Sequence, residues 1–130
     1  MIIDFHTHIF PDTIAAKTIA KLASVANIAA STDGTINGLM ESMNRANVDI
    51  SVIQPVVTKP EQFATINQFA QSINEKYKGR LISFGGIHPD CEDYKHKLNH
   101  IKESGFLGIK IHPDYQKVMI DDVRYMNIIE

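Results

Sequence analysis

Covalent cross-links play no part in this chain. Cys91 is its single cysteine, so no intrachain disulfide can form, and a reducing, cytoplasmic compartment is the expected one. Cys91 stands in the acidic stretch Asp90-Cys91-Glu92-Asp93, which raises a thiol pKa, and it is not read as a nucleophile. Long apolar runs are also missing: none approaches the roughly 20 residues of a membrane span. Met1-Ile2-Ile3 runs at once into Asp4, His6 and His8, without the basic start of a secretory signal. Lysine and arginine are scattered and the formal net charge is −2, so the basic footprint of a nucleic-acid binder is absent and a membrane-surface role has no support. No glycine-rich phosphate loop and no Gly-x-Ser-x-Gly nucleophile elbow occur.

What remains is the composition of one ordinary α/β domain. The 130 residues suffice for a real core, and the 44% hydrophobic share is that of a globular chain. Four apolar runs read as strands covered on both faces: Ile2 to His6, Asp49 to Gln54, Arg80 to Ile87 and Phe106 to Ile111. Helical stripes lie between them. Phe63, Ile66, Ala70, Ile73 and Tyr77 step along one face, and Gly79 supplies a stop. Tyr94, Leu98 and Ile101 make a shorter stripe towards Gly105; Ile36, Leu39, Met40 and Met43 precede strand two. A further helix over about Thr13 to Ala26 fills the first long connection, and another begins near Asp121. Strands alternating with amphipathic helices imply a parallel sheet with right-handed crossovers. Either a doubly wound, flavodoxin-like open sheet or part of a (β/α)8 barrel fits this order.

Strands three and four share an ending, Ile87-His88-Pro89-Asp90 and Ile111-His112-Pro113-Asp114. Proline ends a ladder and keeps the preceding histidine extended, and the aspartate can open the next turn. Polar side chains therefore collect at the C-terminal ends of the strands, where parallel α/β proteins place their active sites.

Strand one ends in His6 and His8, two positions apart and so on one face of a strand. Two imidazoles aimed at one point are half of a divalent-metal site, and they favour a metal-dependent enzyme over a binding module. Asp4 lies one step deeper on the same expected face and is placed to orient a ligating imidazole. Lys110 and His112 repeat the i, i+2 arrangement, with Ile109 and Ile111 turned towards helices. An interior ammonium must pair, lose its proton or react with carbon dioxide to give a metal-bridging carbamate. His112 is the candidate acid/base or carbonyl-polarising group. His88 is a candidate substrate contact. His96 and His100 belong to a solvated helix face.

Asp4-Phe5-His6-Thr7-His8, joined to Gly108-Ile109-Lys110-Ile111-His112-Pro113-Asp114-Tyr115-Gln116 about one hundred residues later, resembles the amidohydrolase superfamily. The likeness is to its amidohydrolase-related branch of TIM-barrel metal-dependent hydrolases and decarboxylases. The resemblance implies that residues 1–130 are the N-terminal portion of one barrel domain, β1 to β4 of a (β/α)8 fold. A whole barrel takes about 250 residues. It implies metal ligation by His6 and His8, a carbamylated lysine in some branches at Lys110, and substrate contact at His112. The cation is zinc first, with Mn, Fe, Co or Ni as alternatives. The family's further ligands, on strands five, six and eight, match no residue here. The expected reaction is hydrolysis of a C–N, ester or lactone bond of a small organic acid by metal-activated water. Non-oxidative decarboxylation is the alternative. A non-catalytic half-barrel, completed by a partner chain or as a homo-oligomer, is the other.

Overall fold

In the computed structural model, residues 1–130 are described, apart from the side chains of Val25 and Ala26. Every strand pairing in it is parallel. β1 (Ile3–Thr7) pairs with β2 (Ile50–Ile53) and β2 with β3 (Leu81–Ser83), while β4 (Gly85–Gly86) pairs with β5 (Ile109–Lys110). The strand expected as one piece over Arg80 to Ile87 is thus divided at Phe84 between two sheets, of order β1-β2-β3 and β4-β5. Successive peptides of a strand point to opposite neighbours. Here Phe84 N–H donates back to Ile53 O of β2 (3.1 Å) and Gly85 N–H to Gly108 O just before β5 (2.9 Å). The chain is handed from one neighbour to the next, and the sheets do not close.

The helices are α1 (Asp12–Ala26), α2 (Ile36–Ala46), α3 (Phe63–Lys76), α4 (Tyr94–Glu103), α5 (Pro113–Gln116) and α6 (Val123–Ile129). The sequence reading places all of them except the single turn α5. Local chemistry sets their ends. Thr35 Oγ1 accepts from Gly38 N–H (3.0 Å) to start α2, and Asp122 accepts from Arg124 N–H (2.9 Å) to start α6. After α3, Gly79 turns the chain into β3 at φ +85°, a conformation suited to glycine. No helix among the described residues is long and apolar enough to cross a membrane.

Residues paired in the parallel ladders share a face. Ser51, Ile53, Leu81 and Ser83 form one face and are buried. Ile53 and Leu81 pack there with Ile9 just after β1, Leu39 and Met43 of α2, and Ile73 of α3. Ile109 and Ile111 pack in a second cluster with Ile87, Cys91, Ile101 and Ile128. On the opposite face Val52 of the central strand is still buried, but β1 is exposed, which corrects the expectation of a strand one covered on both sides. Ile3 is 48% and Phe5 61% exposed, because β1 is an edge strand; Phe84 meets the Phe5 ring edge-on at 5.8 Å. Cys91 is buried, and its thiol pKa is raised chiefly by that burial rather than by the flanking acids.

Two asparagines of α3 complete the ladders. Asn67 donates to Gly86 O (2.9 Å) and accepts from Gly86 N–H (2.8 Å). Asn74 does the same for Ser83, at 3.0 and 2.6 Å. A primary amide carries a donor and an acceptor side by side, so it can stand in for a neighbouring strand.

Candidate functional site

β1 is irregular where the site begins. Asp4 is level with Ser51 and Thr7 with Ile53, three steps on one strand against two on the other. One extra residue is accommodated as a bulge, which re-aims the side chains after it. Three hydrogen bonds stitch the bulge to β2. Thr7 Oγ1 donates to Val52 O (2.9 Å), Gln54 N–H to Thr7 O (2.9 Å) and Gln54 Nε2 to Phe5 O (3.0 Å).

Beyond the bulge His6 and His8 converge. Their Nε2 atoms are 3.1 Å apart, with ring centroids 5.0 Å apart and planes at 62°. Two nitrogens bound to one zinc at a tetrahedral angle lie roughly 3.3–3.4 Å apart, so the pair fits a shared cation with little rearrangement. Without one, a ring must donate to the other. Burial, followed by the nearby His6, lowers the His8 pKa to about 4, against a hydrogen bond with the Gln54 backbone that raises it. His8 is therefore neutral at physiological pH and keeps the lone pair a metal requires.

Lys110 and His112 also bear on His8 electrostatically, each lowering its pKa further. Lys110 is level with Gly86 and half-buried. No carboxylate lies within ion-pair distance of it among the described residues. His112 caps α5, its ring against Tyr115 at 4.3 Å between centroids. Burial lowers its pKa first and the Lys110 charge second, with Asp114 opposing. Its Nδ1 is buried without a hydrogen-bond partner. The structure thus brings four predicted residues into one neighbourhood, His6, His8, Lys110 and His112.

Asp4 and His88 are placed differently. The bulge takes Asp4 out of step with the histidines, and its carboxylate accepts from the backbone N–H of His6 (3.2 Å) rather than from an imidazole. Asp4 therefore shapes the bulge. His88 is buried, and its Nδ1 accepts from Asp90 N–H (3.1 Å). Burial lowers its pKa, and the groups around it are Asp90, Arg124, the Gln116 backbone and Glu61, a set separate from the one around His8. His96 and His100 are exposed on α4, as expected.

No protein-family model matches the chain, and no curated protein matches it. Among the described residues no group of three or more His, Cys, Asp or Glu side chains that could hold a metal ion is found. Sequence reasoning assigned no role to Gln54 or Gln116. A buried amide immediately after a strand, or one turn after a strand-end histidine, is the signal that would have found them.

Proposed function

We propose that this chain is the metal-holding first half of a (β/α)8 barrel hydrolase of the amidohydrolase type. It would act on a C–N, ester or lactone bond of a small organic acid. The observation that carries the reading is the 3.1 Å approach of His6 and His8 at the C-terminal end of a parallel strand. The fold supports it. Helices cover one face of the strands, and Phe5, Lys110 and the histidines belong to the other, as on the inner wall of a barrel.

A divalent cation on His6 and His8, zinc first, supplies Lewis-acid polarisation of a carbonyl and acidification of water. The protein's own residues do the rest. His8, neutral by burial, offers a lone pair without first losing a proton. Lys110, with no carboxylate partner among the described residues, is free to take a substrate carboxylate or to carry the carbamate. The His112 imidazole, which bears on His8 electrostatically, is the group to accept or deliver a proton. Phe5 and Phe84 present an apolar surface to the substrate's carbon skeleton. Decarboxylation of an unsaturated acid would use the same groups, with Lys110 holding the carboxylate that leaves.

Zinc binding by the purified chain, measured by equilibrium dialysis with metal analysis, tests the reading. We expect one zinc per chain, with affinity lower by ~tenfold or more, about 1.4 kcal/mol, in His6→Ala and in His8→Ala. A chain that binds no zinc, or binds it unchanged in both variants, removes the proposal. A second reading, a half-barrel completed by a second copy or a partner chain, is favoured by exposed Ile3 and Phe5 on the open edge. A dimer by light scattering, with tighter zinc binding at higher protein concentration, would support it.

A further inference from the structure

We infer that Gln116 is the positioning residue of the site, holding His112 in place and tying it to α6. The inference rests on the proposed role of His112 as the proton-transfer group. Gln116 is 4% exposed, and its side-chain amide is saturated. Nε2 donates to Val57 O and to Ile87 O, both at 2.7 Å. Oε1 accepts from His112 N–H (2.9 Å) and from Tyr125 Oη–H (2.6 Å). Two donors and two acceptor positions are all that a primary amide has.

The four partners come from four segments: the connection after β2, the turn after β4, the residue that precedes α5, and α6. Backbone geometry closes the same loop from the other side, because Gln116 N–H donates to His112 O (2.9 Å). Both polar groups of His112's own backbone therefore end on Gln116. The His112 ring lies against Tyr115 and projects from a backbone held on both its N–H and its C=O. A reacting group must be held within a fraction of an ångström of its productive position, which is the task such a closed network performs. The Tyr125 hydroxyl makes α6 part of the same device.

The test uses the full chain with 13C/15N-labelled histidine. It reads the His112 ring resonance and the hydrogen exchange of the His112 amide in three variants. Gln116→Met keeps volume and removes the four side-chain hydrogen bonds while leaving the backbone bond to His112 O. Gln116→Glu keeps an oxygen for His112 N–H and Tyr125 but loses the donors to Val57 and Ile87. Tyr125→Phe removes only the hydroxyl.

In Gln116→Met the His112 amide should lose at least tenfold in protection and its ring resonance should shift and broaden, while His96 and His100 do not move. Gln116→Glu should restore His112's protection and resonance despite its lower stability. If Gln116→Met does not fold, Tyr125→Phe decides, since its hydroxyl bonds Gln116 and a shift of the His112 resonance then reports the coupling. The inference is overturned if His112 protection merely follows global stability in both Gln116 variants, or if Tyr125→Phe leaves the His112 resonance unmoved. The two readings fail separately: loss of zinc binding at His6 and His8 would leave these His112 signals as they are.

Discussion

Asn67→Ala should weaken the whole chain more than any exposed change on α3. Asn67 is 4% exposed, and its amide meets both polar groups of the Gly86 peptide, at 2.8 and 2.9 Å. A third contact, to Phe63 O (2.8 Å), falls on a carbonyl within its own helix. Alanine keeps the helix but leaves the Gly86 N–H and C=O inside with nothing to bond. Two lost hydrogen bonds at ~1 kcal/mol each, together with desolvation of the groups left behind, come to about 2–4 kcal/mol. Native domains hold only about 5–15 kcal/mol in total, so this is a large share.

With a urea m-value of about 1–3 kcal/mol/M, the unfolding midpoint followed by circular dichroism should fall by roughly 1–2 M at unchanged slope. Gln68→Ala, next along the helix and exposed, is the control and should stay within about 0.5 kcal/mol of wild type. The consequence reaches the site, because Gly86 is level with Lys110 across the β4–β5 ladder. An Asn67→Ala loss below about 0.5 kcal/mol would refute the reasoning, since the Gly86 peptide would then be solvated or re-paired without the amide.

Two further outcomes follow from titratable groups. His8 has a folded pKa of about 4 against an ordinary 6.5, so the unfolded chain takes up a proton between those values that the folded chain refuses. Stability of the metal-stripped protein should therefore decline as pH falls from about 6.5 to about 4, by on the order of 1–2 kcal/mol once the ring's partial exposure is allowed for. Urea midpoints at about pH 7.5 and about pH 5 should show the fall, and His8→Ala should lessen it; a rise on acidification would contradict the assignment. Cys91, buried and with its thiol pKa raised, should react with an aromatic disulfide reagent only in urea. Rapid reaction in native buffer would show the cluster around Ile87 and Ile128 to be open.

Much of this architecture is legible in the sequence, and the limits of that reading have physical causes. Stripes such as Phe63, Ala70, Ile73 place helices because burial of one helical face is a local, periodic signal. The convergence of His6 and His8 is legible from their spacing. Asp4 is not, because a bulge depends on how β1 meets β2 and leaves no periodic trace. The exposure of Ile3 and Phe5 is hidden for a similar reason: an apolar strand reads alike whether its second face is covered or bare. The division of the third strand at Phe84 depends on where β2 ends and β5 begins, which no window around Phe84 contains.

The residues that sequence reasoning passed over share one chemistry. Gln54, Asn67, Asn74 and Gln116 are uncharged amides, and each bonds backbone at an irregular or unpaired edge: Phe5 O at the bulge, Gly86, Ser83, and Val57, Ile87 and His112 beyond the strands. Strands of two to five residues leave many peptides without a neighbour. A charged side chain could not fill those places without a counterion, and an apolar one would strand the peptide. Asparagine and glutamine satisfy both the donor and the acceptor and remain neutral. Two polar positions seven residues apart within the apolar stripe of α3, Asn67 and Asn74, are the sequence trace of this arrangement. The His112 peptide is therefore fixed by the amide of Gln116, and the β1 bulge behind His6 by that of Gln54. The β5 ladder, only Ile109–Lys110, ends before His112 is reached. The geometry of the proposed site should accordingly be more sensitive to these amides than to the apolar residues of β5.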